Sequence, residues 1–158
     1  MAMGWRRTRV FFSGILLLLA SCGFHLKGQR DLAHIGAVQL HSDSEELAAV
    51  LQKKLAKSGV QVSASAPITL KITNFKRRRH QAAIGRVGQS KELEFFDNFQ
   101  LTVSKNGREF HTELASHAYL QYEASQYLGS IAEEKLVEQQ LYQQDGDRVL
   151  RYLAAVCK

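Results

Sequence analysis

Residues 93–120 read LEFFDNFQLTVSKNGREFHTELASHAYL, and the reading of this stretch decides the fold. Asn106-Gly107 favours a two-residue hairpin turn, because both residue types tolerate the positive φ that such a turn demands. With these two residues at the centre of the turn, opposed positions have numbers that sum to 213. Val103 then faces Phe110, Leu101 faces Thr112, Phe99 faces Leu114 and Leu93 faces Leu120. The apolar registers of both arms coincide on one face, and a slip by one residue would turn the whole set outward. Asp97 falls on the same face opposite Ser116. It reads either as a buried functional acid or as a polar group satisfied by a local hydrogen bond or at a sheet edge.

Upstream of the hairpin, after Pro67, Ile68, Leu70 and Ile72 alternate with Thr69, Lys71 and Thr73, the pattern of a half-buried strand that runs into Lys76–His80. Residues 37–41 alternate in the same way, and Val60 to Val62 offer the start of a further strand. Between them Ser42, Asp43 and Ser44 are natural helix caps. Glu45 and Glu46 place favourable charge in the first turn of a helix carrying Leu47, Val50, Leu51 and Leu55, which Ser58-Gly59 ends. Downstream, Ser125 has the character of an N-cap for one long helix with Leu128, Ile131, Ala132, Tyr142, Val149, Leu150 and Leu153 in a broad stripe. Gly146 lies in that stripe, where it either permits close helix-to-sheet approach or divides the helix; one helix is expected. The order predicts an α+β two-layer sandwich, a largely antiparallel four-stranded sheet with two helices on one face. The other face would carry Lys71, Thr73, Phe96, Thr102, His111, Glu113, His117 and Tyr119, of which Phe96, His117 and Tyr119 are the candidates to face a partner.

The first 30 residues have a different logic. Arg6, Arg7 and Arg9 precede an apolar run, Val10–Leu19, and then Ala20-Ser21-Cys22. This is the three-part order of an export signal. The run is about half of the roughly 20 residues that a membrane-spanning helix needs. Leu19-Ala20-Ser21-Cys22 resembles a lipobox, in which the cysteine thiol receives diacylglycerol and becomes the acylated N-terminus. Residues 1–21 are therefore expected to be removed, 22–35 to form the lipidated N-terminus and a polar tether, and 36–158 to form one domain. No cofactor is expected beyond the N-acyl and S-diacylglycerol groups on Cys22. Gly23 follows the cysteine where inner-membrane lipoproteins of this class commonly carry aspartate, which favours the outer membrane.

Of 158 residues, removal of 21 leaves 137, enough for one core without disulfides or metals. The chain has 21 basic and 15 acidic residues; three of the basic ones lie in the leader, so the domain holds 18 against 15. It is only mildly basic, and the distribution of charge says more than its sum. The two cysteines are Cys22 and Cys157, and an acylated Cys22 cannot form a disulfide. Cys157 has no second thiol or evident base beside it in sequence, so it reads as a packed residue rather than a reactive one. The six histidines are scattered; His111 and His117 are roughly 20 Å apart along an extended strand and cannot share a metal ion. No phosphate-binding glycine loop, nucleophile elbow or pair of catalytic carboxylates is recognisable, and no enzymatic activity is expected.

The densest charge is Lys76–His80, with Arg86 and Lys91 following across a glycine-containing segment. A solvated charge run accounts for it. So does a polyanionic ligand, because arginine presents a planar fork of donors suited to phosphate and carboxylate. Export argues against nucleic acid.

Cys22-Gly23-Phe24-His25-Leu26-Lys27, the strand 68–72, the segment Gly85-Arg86-Val87-Gly88-Gln89-Ser90, the hairpin, and the helix containing Leu141-Tyr142 and Arg151-Tyr152-Leu153 follow one another as in the LptE family of outer-membrane lipoproteins. The chain resembles that family over nearly all of its mature length. The resemblance implies an α+β plug, one per LptD β-barrel, that helps the barrel assemble and binds lipopolysaccharide during its export. It would be lipid-anchored on the periplasmic side of the outer membrane and lodged within the barrel lumen. The family's basic loop position falls on Arg86, the first candidate for contact with lipopolysaccharide phosphates, to which the residue pattern adds Arg77, Arg78, Arg79 and Lys91. A second basic position of the family, early in the last helix, is Ser130 in this chain. Two rivals stay open: an accessory lipoprotein of another envelope machine that binds no glycolipid, and a periplasmic hydrolase whose residues converge only in three dimensions.

Overall fold

The computed structural model describes the backbone at residues 31–84, 90–123 and 127–158, and side chains at 31–81, 92–121 and 131–158. The hairpin is its centre. Strands β4 (Ser90–Lys105) and β5 (Arg108–Glu123) meet at a turn where Asn106 has φ 53° and Gly107 φ 74°. Their partners are Val103 with Phe110, Leu101 with Thr112, Phe99 with Leu114 and Leu93 with Leu120. This is the register derived from the sequence, and the pairing runs from Lys105–Arg108 to Ser90–Glu123 without a bulge.

Strand β3 (Ile68–Ile84) pairs antiparallel with β4 and parallel with β1 (Ala37–Ser42), which in turn pairs parallel with the two-residue β2 (Gln61–Val62). The sheet therefore has five strands in the order β2-β1-β3-β4-β5 and is mixed, not the four-stranded, largely antiparallel one expected. The physical reason is the first helix, α1 (Glu45–Lys57), which carries the chain back across the sheet so that β1 and β2 run in the same direction. Ser44 caps this helix, its hydroxyl accepting from the Leu47 amide at 3.3 Å.

Helix α2 (Tyr127–Val156) runs unbroken through Gly146. A close approach does occur at this glycine, but to the other helix and not to the sheet. A Cβ there would lie 2.8 Å from Lys54 Cδ and 3.2 Å from Val50 Cγ1 of α1. Lys54 Nζ also pairs with Asp147 at 2.6 Å, so the two helices are held together at this level.

The core lies between the helices and one sheet face, with Val38, Leu47, Leu51, Leu55, Leu70, Ile72, Phe99, Leu101 and Leu153 almost wholly buried. A smaller cluster, Leu93, Phe95, Leu120 and Leu141, sits farther along the hairpin. The apolar stripe expected on α2 holds at Tyr142, Val149, Leu150 and Leu153; farther back Ile131 and Ala132 are exposed while Val137 and Leu141 join the second cluster, and the side chain of Leu128 lies outside the described ones. The folded unit also begins sooner than expected. Leu32 and Ile35 are buried, and Ala33–Ile35 form a 3-10 turn, so residues assigned to a tether belong to the core. Among the described residues no helix is long and apolar enough to cross a membrane.

Candidate functional site

One bulge determines what the basic run does. Between Thr73–Gln100 and Lys76–Asn98, β3 has two residues, Asn74 and Phe75, where β4 has only Phe99. Asn74 takes the left-handed conformation, φ 58°, that asparagine tolerates, and the extra residue reverses which face each later side chain occupies. The alternation that buries Ile68, Leu70 and Ile72 would otherwise drive Lys76, Arg78 and His80 into the core. After the bulge, Arg77 and the still exposed Arg79 turn toward α2, while Lys76, Arg78 and His80 lie on the open side. The charge run is thus not one cluster that follows the strand. It lies within β3 and is divided between two faces.

On the helix side, Arg77 makes a two-pronged pair with Asp97, its direct cross-strand partner, with Nε–Oδ1 at 2.7 Å and Nη2–Oδ2 at 2.5 Å. Asp97 is fully buried, so it is neither a free acid nor a sheet-edge group. The Arg77 guanidinium lies 4.0 Å from the Tyr142 ring centroid, and Glu138 is 4.0 Å away on the same helix. Arg79 pairs with Glu134 at 2.9 Å. A cation held in this way is already neutralised and oriented.

Beside this pair lies a group that sequence reasoning missed. Asp145, which precedes Gly146 in α2, is fully buried, and neither of its oxygens has a hydrogen-bond partner among the described residues; nor does the buried Ser116 hydroxyl. Burial pushes the Asp145 carboxyl up to about 7, and the adjacent Asp97 carboxylate acts in the same direction. Ser116 and Arg77 offset part of the rise, although Ser116 stands outside hydrogen-bond geometry. The signal in the sequence was its spacing. Asp145 lies four residues after Leu141 and four before Val149, on the strip of α2 that faces the sheet.

The open sheet face brings together all three candidates for partner contact. Phe96 is opposite His117, and Glu94 is opposite Tyr119. The His117 and Tyr119 rings are 5.9 Å apart, and Tyr119, 53 % exposed, donates to Glu94 at 3.1 Å. His80 closes the row with a 2.7 Å contact to the same carboxylate. Arg78 is paired with Phe96 along the strand. The result is a shelf of aromatic and charged groups, with Arg78 and Lys76 exposed cations on the same side. Of the remaining candidates, Lys91 pairs in β4 with Ile84 and Tyr122, its side chain lying beyond the described ones, while Arg86, Cys22 and the caps and loops at 85–89 and 124–126 lie outside the described residues.

Cys157 is buried in the main core, and burial pushes its thiol up, which disfavours the reactive thiolate. Among the described residues no group of His, Cys, Asp or Glu is arranged to hold a metal ion. A shallow depression beside β2 is lined by Gln52, Ala56, Gly59, Val60, Gln61 and Val62, without a titratable side chain.

No protein-family model matches the sequence, and no curated protein matches it. Solved structures do match the fold. Rare lipoprotein B from Shewanella oneidensis aligns over 77 % of this chain and 96 % of its own, at 20 % identity and a TM-score of 0.61. A minor lipoprotein from Acinetobacter baumannii aligns over 77 % and 92 %, at 16 % identity and 0.65. An uncharacterized lipoprotein B from Nitrosomonas europaea aligns over 85 % and 92 %, at 17 % identity and 0.68. At such identities the likeness is one of fold: this chain has the α+β sandwich found in these three lipoproteins.

Proposed function

We propose that this chain is a non-enzymatic outer-membrane lipoprotein of the LptE type, anchored by acyl chains on Cys22, that fills the lumen of an LptD barrel, helps it assemble and binds lipopolysaccharide. The observation that carries this reading is the sandwich itself, shared over more than nine-tenths of three lipoprotein domains and lying behind a lipobox in this sequence. Two or more acyl chains hold a protein stably at a bilayer, so Cys22 would place the domain at the inner leaflet. The aromatic and charged shelf of Phe96, His117 and Tyr119 suits the wall of a barrel lumen, whose interior is polar. Arg86, Lys91 and Arg78 would engage the phosphates; Arg77 and Arg79, held by Asp97 and Glu134, would contribute less. No bond is made or broken.

Two substitutions test this. Cys22→Ala should abolish incorporation of labelled palmitate, and Arg86→Glu should weaken lipopolysaccharide binding without altering the far-UV spectrum. Retained labelling would remove the anchor from the account, and unchanged binding would remove Arg86. The engagement of Arg77 and Arg79 by carboxylates favours one alternative, an accessory lipoprotein of another envelope machine that binds no lipopolysaccharide.

A further inference from the structure

Four residues of α2, Glu134, Val137, Glu138 and Leu141, recur at the three-to-four spacing that places them on one side of a helix. That side faces the part of the sheet beyond the bulge, where cross-strand neighbours form rows. Arg77, Asp97 and Ser116 make one row; Arg79, Phe95 and Ala118 make the next, and the pair Leu93–Leu120 follows. The acids of the helix meet the cations, Glu134 pairing with Arg79 at 2.9 Å and Glu138 standing 4.0 Å from Arg77. The aliphatic residues meet the apolar ones, Leu141 within and Val137 packed against the cluster of Leu93, Phe95 and Leu120. Arginines therefore line one margin of an apolar floor. Strand β1 has already ended at Ser42, opposite Ile72, so no strand lies beyond that margin among the described residues.

This part of the helix is held lightly. From Ile131 to Gln140 no residue is buried, and Ile131 and Leu136 are 55 % and 57 % exposed, whereas Leu141, Asp145, Val149, Leu150 and Leu153 beyond it are all buried. A segment with so few buried apolar contacts opens locally far more readily than the body of the helix. Its ion pair with Arg79, whose side chain is 52 % exposed, adds little to hold it.

We infer that residues 131–140 of α2 are a lid, displaced by local unfolding, over a covered lipopolysaccharide site, and that Glu134, Val137 and Glu138 imitate the ligand they exclude. The chemistry of the lid identifies the occupant. Carboxylates on guanidinium groups and an aliphatic side chain on the apolar floor stand in for the phosphates and acyl chains of one amphiphile, and arginine receives either anion with the same planar fork. A nucleic acid would leave the floor bare, and a neutral lipid would leave Arg79 without a counter-charge. When the lid lifts, Arg77 keeps its two-pronged bond to Asp97, so Arg79 is the cation released. Such a site presupposes the lipopolysaccharide binding proposed above and adds a covered place to the exposed cations.

Hydrogen exchange of the full processed chain in non-ionic detergent, with and without saturating lipopolysaccharide, reads the lid directly. Amides of 131–140 should exchange roughly tenfold faster with ligand bound, while those of 147–156 keep their rates. Glu134→Gln should tighten lipopolysaccharide binding about two- to fivefold, the range of one exposed ion pair. Glu133→Gln, which removes the same charge from outside the stripe, should not, and adding Arg79→Gln to Glu134→Gln should cancel the gain. Binding with exchange at 131–140 unchanged or slowed would overturn the lid and leave the preceding proposal standing, as would equal gains from the two glutamine variants. Failure of the parent chain to bind lipopolysaccharide would overturn both.

Discussion

Asp145→Asn should make this domain more stable at neutral and alkaline pH, against the common expectation that replacing a buried polar residue does harm. The ordinary value of the Asp145 carboxyl is 3.8 and the folded protein holds it at about 7. A group raised on folding contributes stability that is fully present below its unfolded value and is lost as pH climbs to its folded value. Between pH 4 and 7 the loss is about three pH units at 1.36 kcal/mol each, on the order of 4 kcal/mol. Above pH 7 the folded chain must keep a carboxylate with no hydrogen-bond partner next to Asp97, with only Arg77 between the two negative charges and neutrality. Asparagine has the same shape, carries no charge and presents an amide that can donate to Asp97. Urea unfolding of both proteins from pH 4 to 8.5 measures the effect. The curves should nearly meet at pH 4 and separate by roughly 2–4 kcal/mol at pH 8, with asparagine the more stable. Parallel curves across that range, or a less stable asparagine variant at pH 8, would refute the reasoning.

Arg77→Met leaves Asp97 buried without its counter-charge and should cost about 3–5 kcal/mol; adding Asp97→Asn should recover more than half of that, whereas additive losses in denaturant melts would show that the pair is not coupled. Gly146→Ala should stay within about 1 kcal/mol of the parent, because helix propensity gained offsets displacement of the flexible Lys54 end. Gly146→Leu should lose about 1–3 kcal/mol against Val50, and an unchanged melting temperature would contradict the close helix contact. The Cys157 thiol should react with a disulfide reagent only at the rate at which the domain opens; rapid labelling of folded protein would contradict its burial.

The hairpin was legible because three signals agreed: a turn dipeptide with one preferred geometry, and two arms whose apolar positions matched only in one register. The parallel pairing of β1 was not, since Val60 to Val62 offered the start of a strand but two exposed residues without alternation do not say which neighbour it joins or in which direction. The site was read in part. Phe96, His117 and Tyr119 share a face as alternation requires, because β4 and β5 are regular throughout. Arg77–Arg79 were misjudged as one cluster because a single inserted residue at Asn74 reverses the faces, and a bulge leaves little trace in hydrophobic periodicity. Asp145 was missed because a carboxylate in a buried strip is read as an interruption until its neighbours are known.

The most direct test of the central claim is to recover the tagged, acylated protein from outer membranes and identify what accompanies it by mass spectrometry. The account predicts an LptD barrel in equal amount, with lipopolysaccharide bound to the complex. Recovery with a different barrel, or with none, would contradict it.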